Sequence, residues 1–170
     1  MSTEATKPTF TLSSADIKEG EPIAAIHTFN GFGCSGENLS PALKWSGAPP
    51  ETKSFALTCY DPDAPTGSGF WHWVVFNIPP NVTELPRGAG SPGSAAAPKS
   101  AVQSRTDFGA TGYGGPCPPK GDTPHRYQFT IFAVDTDMIE ADAQASGALV
   151  GFNLHFHTLA KTTLTALFGH

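Results

Sequence analysis

The ten residues from His125 to Val134 alternate between apolar and polar side chains, and this pattern constrains the fold more than any other segment. One parity is apolar, and consists of Tyr127, Phe129, Ile131 and Ala133. Alternation over this length predicts a β-strand with one face in a core, which is typical of antiparallel sheets. We therefore expect the chain to be organised around such a sheet.

Two upstream segments show the same alternation and extend the predicted sheet. Residues 54–60 place Phe55, Leu57 and Cys59 on one face, and residues 72–78 place Val74, Phe76 and Ile78 together. Eighteen glycines and sixteen prolines among 170 residues favour turns over long helices. The class predicted from the residues is therefore mainly β.

The C-terminal part of the chain changes to a helical pattern. Asp137 is a suitable N-cap for a helix over residues 138–146. Asn153 is a suitable cap for a second helix, because apolar residues then recur at three- and four-residue spacing up to Phe168. We expect two helices here, the second ending at Gly169.

Length, charge and cysteine usage limit the class of protein. A chain of 170 residues with a net charge of −5 predicts one soluble domain, and the scattered Lys and Arg argue against nucleic-acid binding. No apolar run is long enough to span a membrane. Residues 1–8 lack signal-peptide features, so we expect a flexible tail and a cytoplasmic location. Three cysteines without a CxxC pair predict free thiols, and argue against a disulfide framework and a thiolate zinc site.

Three ionisable residues lie at the ends of the predicted strands. Asp61 continues the apolar parity of its segment, His72 shares its parity with Val74 and Phe76, and His125 begins the third strand in the apolar parity. Antiparallel pairing of both histidine strands with the Asp61 strand would bring all three residues to one edge. A β-bulge would break this register argument.

A carboxylate beside two imidazoles admits two chemistries. In the first, the carboxylate keeps one or both histidines protonated, and they bind an anion together with the Tyr127 hydroxyl and loop N–H groups. In the second, Asp61, His72 and His125 bind a metal as two histidines and one carboxylate. The close His-x-Asp/Glu pair that usually accompanies such a metal site is missing from the sequence.

Two long motifs occur in a recognisable order. The first is Asp61-Pro-Asp-Ala-Pro65 followed by His72-Trp-Val-Val75, and the second is Gly115-Pro-Cys-Pro-Pro-Lys-Gly121 leading into His125-Arg-Tyr127. Together they resemble the phosphatidylethanolamine-binding protein (PEBP) family, and most closely its bacterial branch of Raf kinase inhibitor-like proteins. The resemblance extends from about Phe10 to Phe168.

The resemblance implies a PEBP-like antiparallel β-sandwich with peripheral C-terminal α-helices, and a pocket for phosphate, acetate or phosphorylated head groups. The residues that match the family's ligand pocket are Asp61, His72, Pro118, His125 and Tyr127. Three further residues are expected in supporting positions or at the rim, namely Asp63, Trp71 and Gly115.

Our hypothesis from the sequence is a non-catalytic binding protein with no cofactor, no metal and no catalytic residue. Family analogy extends it to modulation of protein kinases or proteases, and the bacterial branch suggests a homodimer. The alternative is a metal-dependent or acid–base hydrolase of phosphoryl or acyl esters that uses the Asp/His/His cluster. No Ser or Cys lies in a recognisable nucleophile elbow. A third interpretation is an interaction scaffold with a vestigial pocket.

Overall fold

The computed structural model describes residues 9–91 and 94–170, so the predicted flexible tail over residues 1–8 lies outside the described residues. These residues form eight β-strands, one α-helix and a short 3-10 helix over Ala25–His27. The strands are β1 (Thr11–Ser13), β2 (Leu43–Ser46), β3 (Ser54–Asp61), β4 (Phe70–Ile78), β5 (Glu84–Leu85), β6 (Val102–Gln103), β7 (His125–Val134) and β8 (Thr158–Phe168). The helix, α1, is Gly147–His157.

The strands form two sheets. Five strands make the larger sheet in the order β6-β4-β3-β7-β8, and three make the smaller one in the order β1-β2-β5. All neighbouring strands within them are antiparallel. The predicted mainly β, antiparallel fold is confirmed. Because β3 lies between β4 and β7, the C-terminal end of β3 meets the N-terminal ends of both its neighbours.

Two hydrophobic clusters cover opposite faces of the larger sheet. One lies between the two sheets, where Trp45 of the smaller sheet packs with Phe55, Leu57, Phe129 and other buried side chains of the larger one. The other lies under α1 and includes, among others, Ala56, Val74, Phe76, Val150 and Leu154. The larger sheet is thus the central layer, and burial on both faces explains why β3 is almost wholly buried.

The prediction of two C-terminal helices is wrong in both the number and the position of the helices. Residues 138–146 form turns, in which the Asp142 carboxylate accepts a hydrogen bond from the Gln144 N–H. The helix begins after Ser146, whose hydroxyl oxygen accepts from the Leu149 N–H, and it is the one α-helix in the described part of the chain.

The segment predicted as the second helix is mostly strand β8. It pairs with β7 along nearly its whole length, from His125 opposite Phe168 to Val134 opposite Thr158. Its four threonines favour extended backbone, and pairing with β7 outweighs the helical spacing of the apolar residues. α1 itself is only 11 residues long, and no helix in residues 9–91 and 94–170 has the length and apolar character needed to cross a membrane.

Candidate functional site

A cavity of about 310 Å³ opens at the edge of the larger sheet where β3 ends and β4 and β7 begin. The five residues predicted as ligand contacts all line it, namely Asp61, His72, Pro118, His125 and Tyr127. The remaining lining residues are Phe32, Ala64, Pro65, Thr66, Phe70, Asp107, Phe108, Cys117 and Pro119. The structure thus brings the predicted residues together, and their role as ligand contacts stays a prediction.

His72 reaches the cavity through a β-bulge, and not through the parity that the sequence suggested. Trp73 pairs with Cys59 but Trp71 pairs with Tyr60, so His72 has no opposite residue on β3. Val74 and Phe76 consequently face α1, on the side of the sheet away from the cavity. The predicted shared parity of His72 with these two residues is therefore wrong, although the predicted convergence at one edge is observed.

His125 lies between two carboxylates. Its Nδ1 is 2.7 Å from Asp61 Oδ2, and its Nε2 is 2.9 Å from Asp122 Oδ2. Burial alone would lower the pKa of His125, but the hydrogen bonds to Asp122 and Asp61 outweigh it, so the pKa is raised. The arrangement favours an imidazolium that donates from both ring nitrogens.

Asp61 is fixed at the bottom of the site. Its side chain is 3% exposed, and its Oδ1 accepts a hydrogen bond of 2.8 Å from the Asp63 N–H. Burial raises the pKa of Asp61, while the hydrogen bond from His125 acts in the opposite direction. The carboxylate therefore depends on the His125 imidazolium as its counter-charge.

His72 differs from His125 in its charge. Its Nδ1 lies 2.7 Å from the Gly114 carbonyl oxygen and donates to it. Burial lowers the pKa of His72 to about 4, so the ring is neutral at physiological pH. Its Nε2 then carries a lone pair and has no hydrogen-bond partner within the described ranges. Of the two histidines, only His125 is favoured as a cation.

Tyr127 contributes the second uncommitted polar group. Its ring packs edge-on against His72 at 5.2 Å between centroids, and its hydroxyl makes no hydrogen bond to the described residues. Burial raises the pKa of Tyr127, which keeps the hydroxyl protonated and able to donate. The cavity wall therefore includes an acceptor at His72 Nε2 and a donor at the Tyr127 hydroxyl.

Asp63, which was predicted in a supporting position, lies outside the cavity wall. Its carboxylate accepts two hydrogen bonds from the Arg126 guanidinium and a third from the Arg126 backbone N–H. The hydrogen bonds from Arg126 lower the pKa of Asp63 to about 2. This contact ties the loop that follows β3 to the start of β7, beside His125.

The mouth of the cavity is aromatic, and a disulfide lies beside it. Phe108 stacks on Phe29 at 4.2 Å between ring centroids, and Phe32 completes the stack with 81% of its surface exposed. Cys34 and Cys117 form a disulfide that joins the Phe32 loop to the loop before β7.

The prediction of three free thiols is therefore wrong, and only Cys59 is a free thiol. Folding brings the Cα atoms of Cys34 and Cys117 to 6.0 Å, which a sequence separation of 83 residues gave no reason to expect. Cys117 thus has no thiol that could act as a nucleophile.

Trp71 does not lie at the rim. Its ring packs against Tyr60 at 4.5 Å between centroids and belongs to the cluster under α1. The same bulge causes this, because Trp71 and His72 point to opposite faces of the sheet. Trp71 contacts the site through its backbone, because its N–H donates to the Asp107 carboxylate and its carbonyl oxygen accepts from the Asp107 N–H.

Gly115 holds two loops together outside the cavity wall. Its N–H donates to Asn38 Oδ1, and a Cβ at this position would lie 2.1 Å from the His27 carbonyl oxygen. Such close approach requires glycine. Gly115 therefore supports the wall through backbone packing.

We expect Gly115→Ala to lower the free energy of unfolding by about 2 kcal/mol, because the methyl group would force two packed backbones apart. Urea unfolding measures this. Gly67→Ala is the matched control, since nothing lies within 4 Å of a Cβ there. Equal stability losses in the two variants would contradict the role given to Gly115.

Several site residues were not found from the sequence. Asp122 precedes His125 by three residues in a turn, and this spacing was the available signal. Phe32, Phe108 and Asp107 come from loops whose positions depend on the whole fold. The segment Asp107-Phe108-Gly109 supports the family resemblance, but strand periodicity gave no indication that these side chains line the cavity.

Comparisons with known proteins agree with this architecture. The family model described as "Phosphatidylethanolamine-binding protein" matches residues 13–169. The UPF0098 protein YbhB of Escherichia coli K12 is 55% identical over 92% of this chain and 98% of its own length. A UPF0098 protein of Methanothermobacter thermautotrophicus is 43% identical over 84% of this chain and 95% of its own. The crystal structure of E. coli YbcL, described as a new member of the mammalian PEBP family, superposes with a TM-score of 0.93 at 53% identity, covering 95% of this chain and 98% of YbcL.

Proposed function

Because this chain belongs to the phosphatidylethanolamine-binding protein family, we propose that it is a non-catalytic binding protein whose cavity receives phosphate, a phosphorylated head group or a similar anion. The observation that carries the proposal is the set of polar groups on the cavity wall. A cationic His125, a neutral His72 and the Tyr127 hydroxyl line one small cavity. The three groups have complementary roles toward a phosphoryl group.

The charge states suggest how the ligand is oriented. An oxygen of a phosphoryl group would accept a hydrogen bond from the Tyr127 hydroxyl, and the positive charge of the His125 ring would attract it. The neutral His72 offers only an acceptor at Nε2, so it pairs with a ligand that still carries one O–H or N–H. A singly protonated phosphate has oxygens that accept from Tyr127 and one O–H that donates to His72 Nε2.

The mouth of the cavity fits the remainder of a phosphorylated molecule. Phe32, Phe70 and Phe108 surround the entrance together with Pro65 and Pro118. Free phosphate would leave this apolar surface uncovered. A phosphate ester with an organic group would bury part of it, which contributes roughly 25 cal/mol for each Å² of apolar surface removed from water.

Binding without catalysis accounts for the wall better than hydrolysis does. Cys117 is held in a disulfide, and the Thr66 hydroxyl is engaged by the Gly69 carbonyl oxygen. A protonated His125 that donates from both ring nitrogens has no lone pair with which to ligate a metal or act as a base. The relatives described above carry no enzymatic name.

Partners and location stay predictions. Modulation of protein kinases or proteases and formation of a homodimer rest on family analogy. The disulfide argues against the expected cytoplasmic location, since disulfides persist mainly in oxidising compartments. Thiol trapping after fractionation of the host cells would decide between a cytoplasmic and an exported protein.

We expect inorganic phosphate and O-phosphorylethanolamine to shift the imidazole NMR resonances of both His72 and His125. His125→Ala should weaken binding at least tenfold, because it removes the cation, while Tyr127→Phe should weaken it several-fold. His157→Ala is the matched control, since His157 also pairs with an aspartate, Asp135, but away from the cavity.

Unchanged imidazole resonances at saturating phosphate would reject the proposed function. Tyr127→Phe keeps the packing of the ring and therefore tests the contact even where His125→Ala folds poorly. Equal affinity of wild type and both variants would reject the assignment of the site.

A further inference from the structure

We propose that Asp122 is an intramolecular competitor for the anion, and that a ligand must displace its carboxylate from His125 in order to bind. The inference rests on the proposed function, because it concerns the same cavity. It adds a regulatory residue that the cavity lining alone does not reveal, since Asp122 is not part of the wall.

The two nitrogens of His125 are committed to carboxylates of very different exposure. Nδ1 contacts Asp61, whose side chain is 3% exposed, whereas Nε2 contacts Asp122, whose side chain is 39% exposed. Asp61 also accepts from the Asp63 N–H, and its displacement from His125 would leave a buried carboxylate without its counter-charge. The His125 N–H that an external anion can take is therefore the one that Asp122 now occupies.

The Asp122 contact is suited to exchange. Asp122 lies in the turn before β7, where its N–H makes only a long hydrogen bond of 3.3 Å to the Pro119 carbonyl oxygen. The preceding Gly121 has a φ of +90°, a conformation that glycine adopts freely. Rotation of one side chain, or a small movement of this turn, would release the carboxylate to water.

Charge around the ring gives the same conclusion. Asp61 and Asp122 both contact the single cation of the site, and Asp107 lies on the wall of the same cavity. An anion that entered with Asp122 in place would meet an excess of negative charge and find no free N–H on His125. Exchange with Asp122 replaces one anionic partner by another and leaves the charge beside the ring nearly unchanged.

Competition of this kind has a quantitative signature. A protein that binds only in its released state has every affinity reduced by the same factor, which is the fraction of released molecules. Simple repulsion by a nearby carboxylate would instead weaken binding more for the more highly charged ligand. The two mechanisms are therefore separable with two anions of different charge.

The test is to measure the affinities of inorganic phosphate and of acetate for wild type and Asp122→Ala by calorimetry or NMR titration. We expect Asp122→Ala to bind both anions about five- to tenfold more tightly, and by the same factor. Asp122→Asn keeps the shape of the side chain and a weaker neutral acceptor, so its gain should be intermediate.

The matched control is Asp107→Asn. It removes one negative charge from the cavity wall without touching His125, and the amide oxygen can still accept from the Trp71 N–H. The affinity of Asp107→Asn should rise less than that of Asp122→Ala. The rise should be greater for phosphate than for acetate. This is the pattern that repulsion alone produces.

Equal affinities of wild type and Asp122→Ala for both anions would overturn the inference and leave the proposed function intact. A gain in Asp122→Ala that follows ligand charge, as in Asp107→Asn, would also overturn it. If neither wild type nor Asp122→Ala binds either anion, the proposed function fails and this inference fails with it.

Discussion

Loss of the Cys34–Cys117 disulfide is expected to lower the free energy of unfolding by about 4 kcal/mol. The two cysteines are 83 residues apart, so the bond closes a large loop and restricts the denatured chain. Chain-entropy arguments give a stabilisation of this size for such a loop. The bond also joins two loops at the cavity mouth, so its loss should loosen the wall that carries Phe32.

Urea unfolding of the oxidised protein should be compared with that of the double variant Cys34→Ser/Cys117→Ser. Wild type in the presence of a dithiol reductant should behave like the double variant, and the double variant itself should not respond to reductant. Thiol labelling shows when the bond has been reduced. An unchanged unfolding midpoint after complete reduction would contradict the expected stabilisation.

Acidification from pH 6.5 to pH 4 is expected to remove about 3 kcal/mol of stability through His72 alone. The pKa of His72 is lowered to about 4 in the folded protein by burial, whereas an unfolded histidine has a pKa of about 6.5. Between these values the unfolded chain binds the proton and the folded protein does not. Stability is therefore present above pH 6.5 and falls as the pH falls toward 4.

The free energy of unfolding should be measured across this range for wild type and His72→Asn. Asparagine can still donate to the Gly114 carbonyl oxygen but does not titrate, so the variant should be less stable at neutral pH and show a flatter pH dependence. His125 does not mask the effect. Its raised pKa adds stability below about pH 6.5 that is lost only as the pH rises. Identical slopes in wild type and variant would refute the neutral, buried state of His72.

The parts of the fold that were predicted correctly are those in which side-chain pattern and pairing agree. β7 alternates cleanly because one face packs in the core between the sheets while the other is more exposed. The convergence of Asp61, His72 and His125 followed from antiparallel pairing with β3. Local alternation was sufficient for β7, and antiparallel sheet geometry was sufficient to bring the three residues to one edge, but the face on which His72 lies depends on the bulge.

The incorrect predictions concern segments whose structure is determined by contacts with distant parts of the chain. β8 has helical spacing of its apolar residues, but pairing with β7 determines its backbone. The disulfide depends on loops that only the finished fold brings together. The contact of Asp122 with His125 depends on the path of one turn, which composition does not specify.

The bulge at His72 makes the site inseparable from the packing of the sheet. It turns His72 and Trp73 toward the same side, so that a histidine of the cavity and a wholly buried tryptophan of the core are adjacent in the chain. Deleting Trp71 would place His72 opposite Tyr60, restore regular pairing and turn the His72 ring toward α1. The deletion would thus remove the His72 Nε2 acceptor from the cavity wall while leaving a more regular strand. The position of His72 in the cavity wall thus depends on a single irregularity in the pairing of β3 with β4.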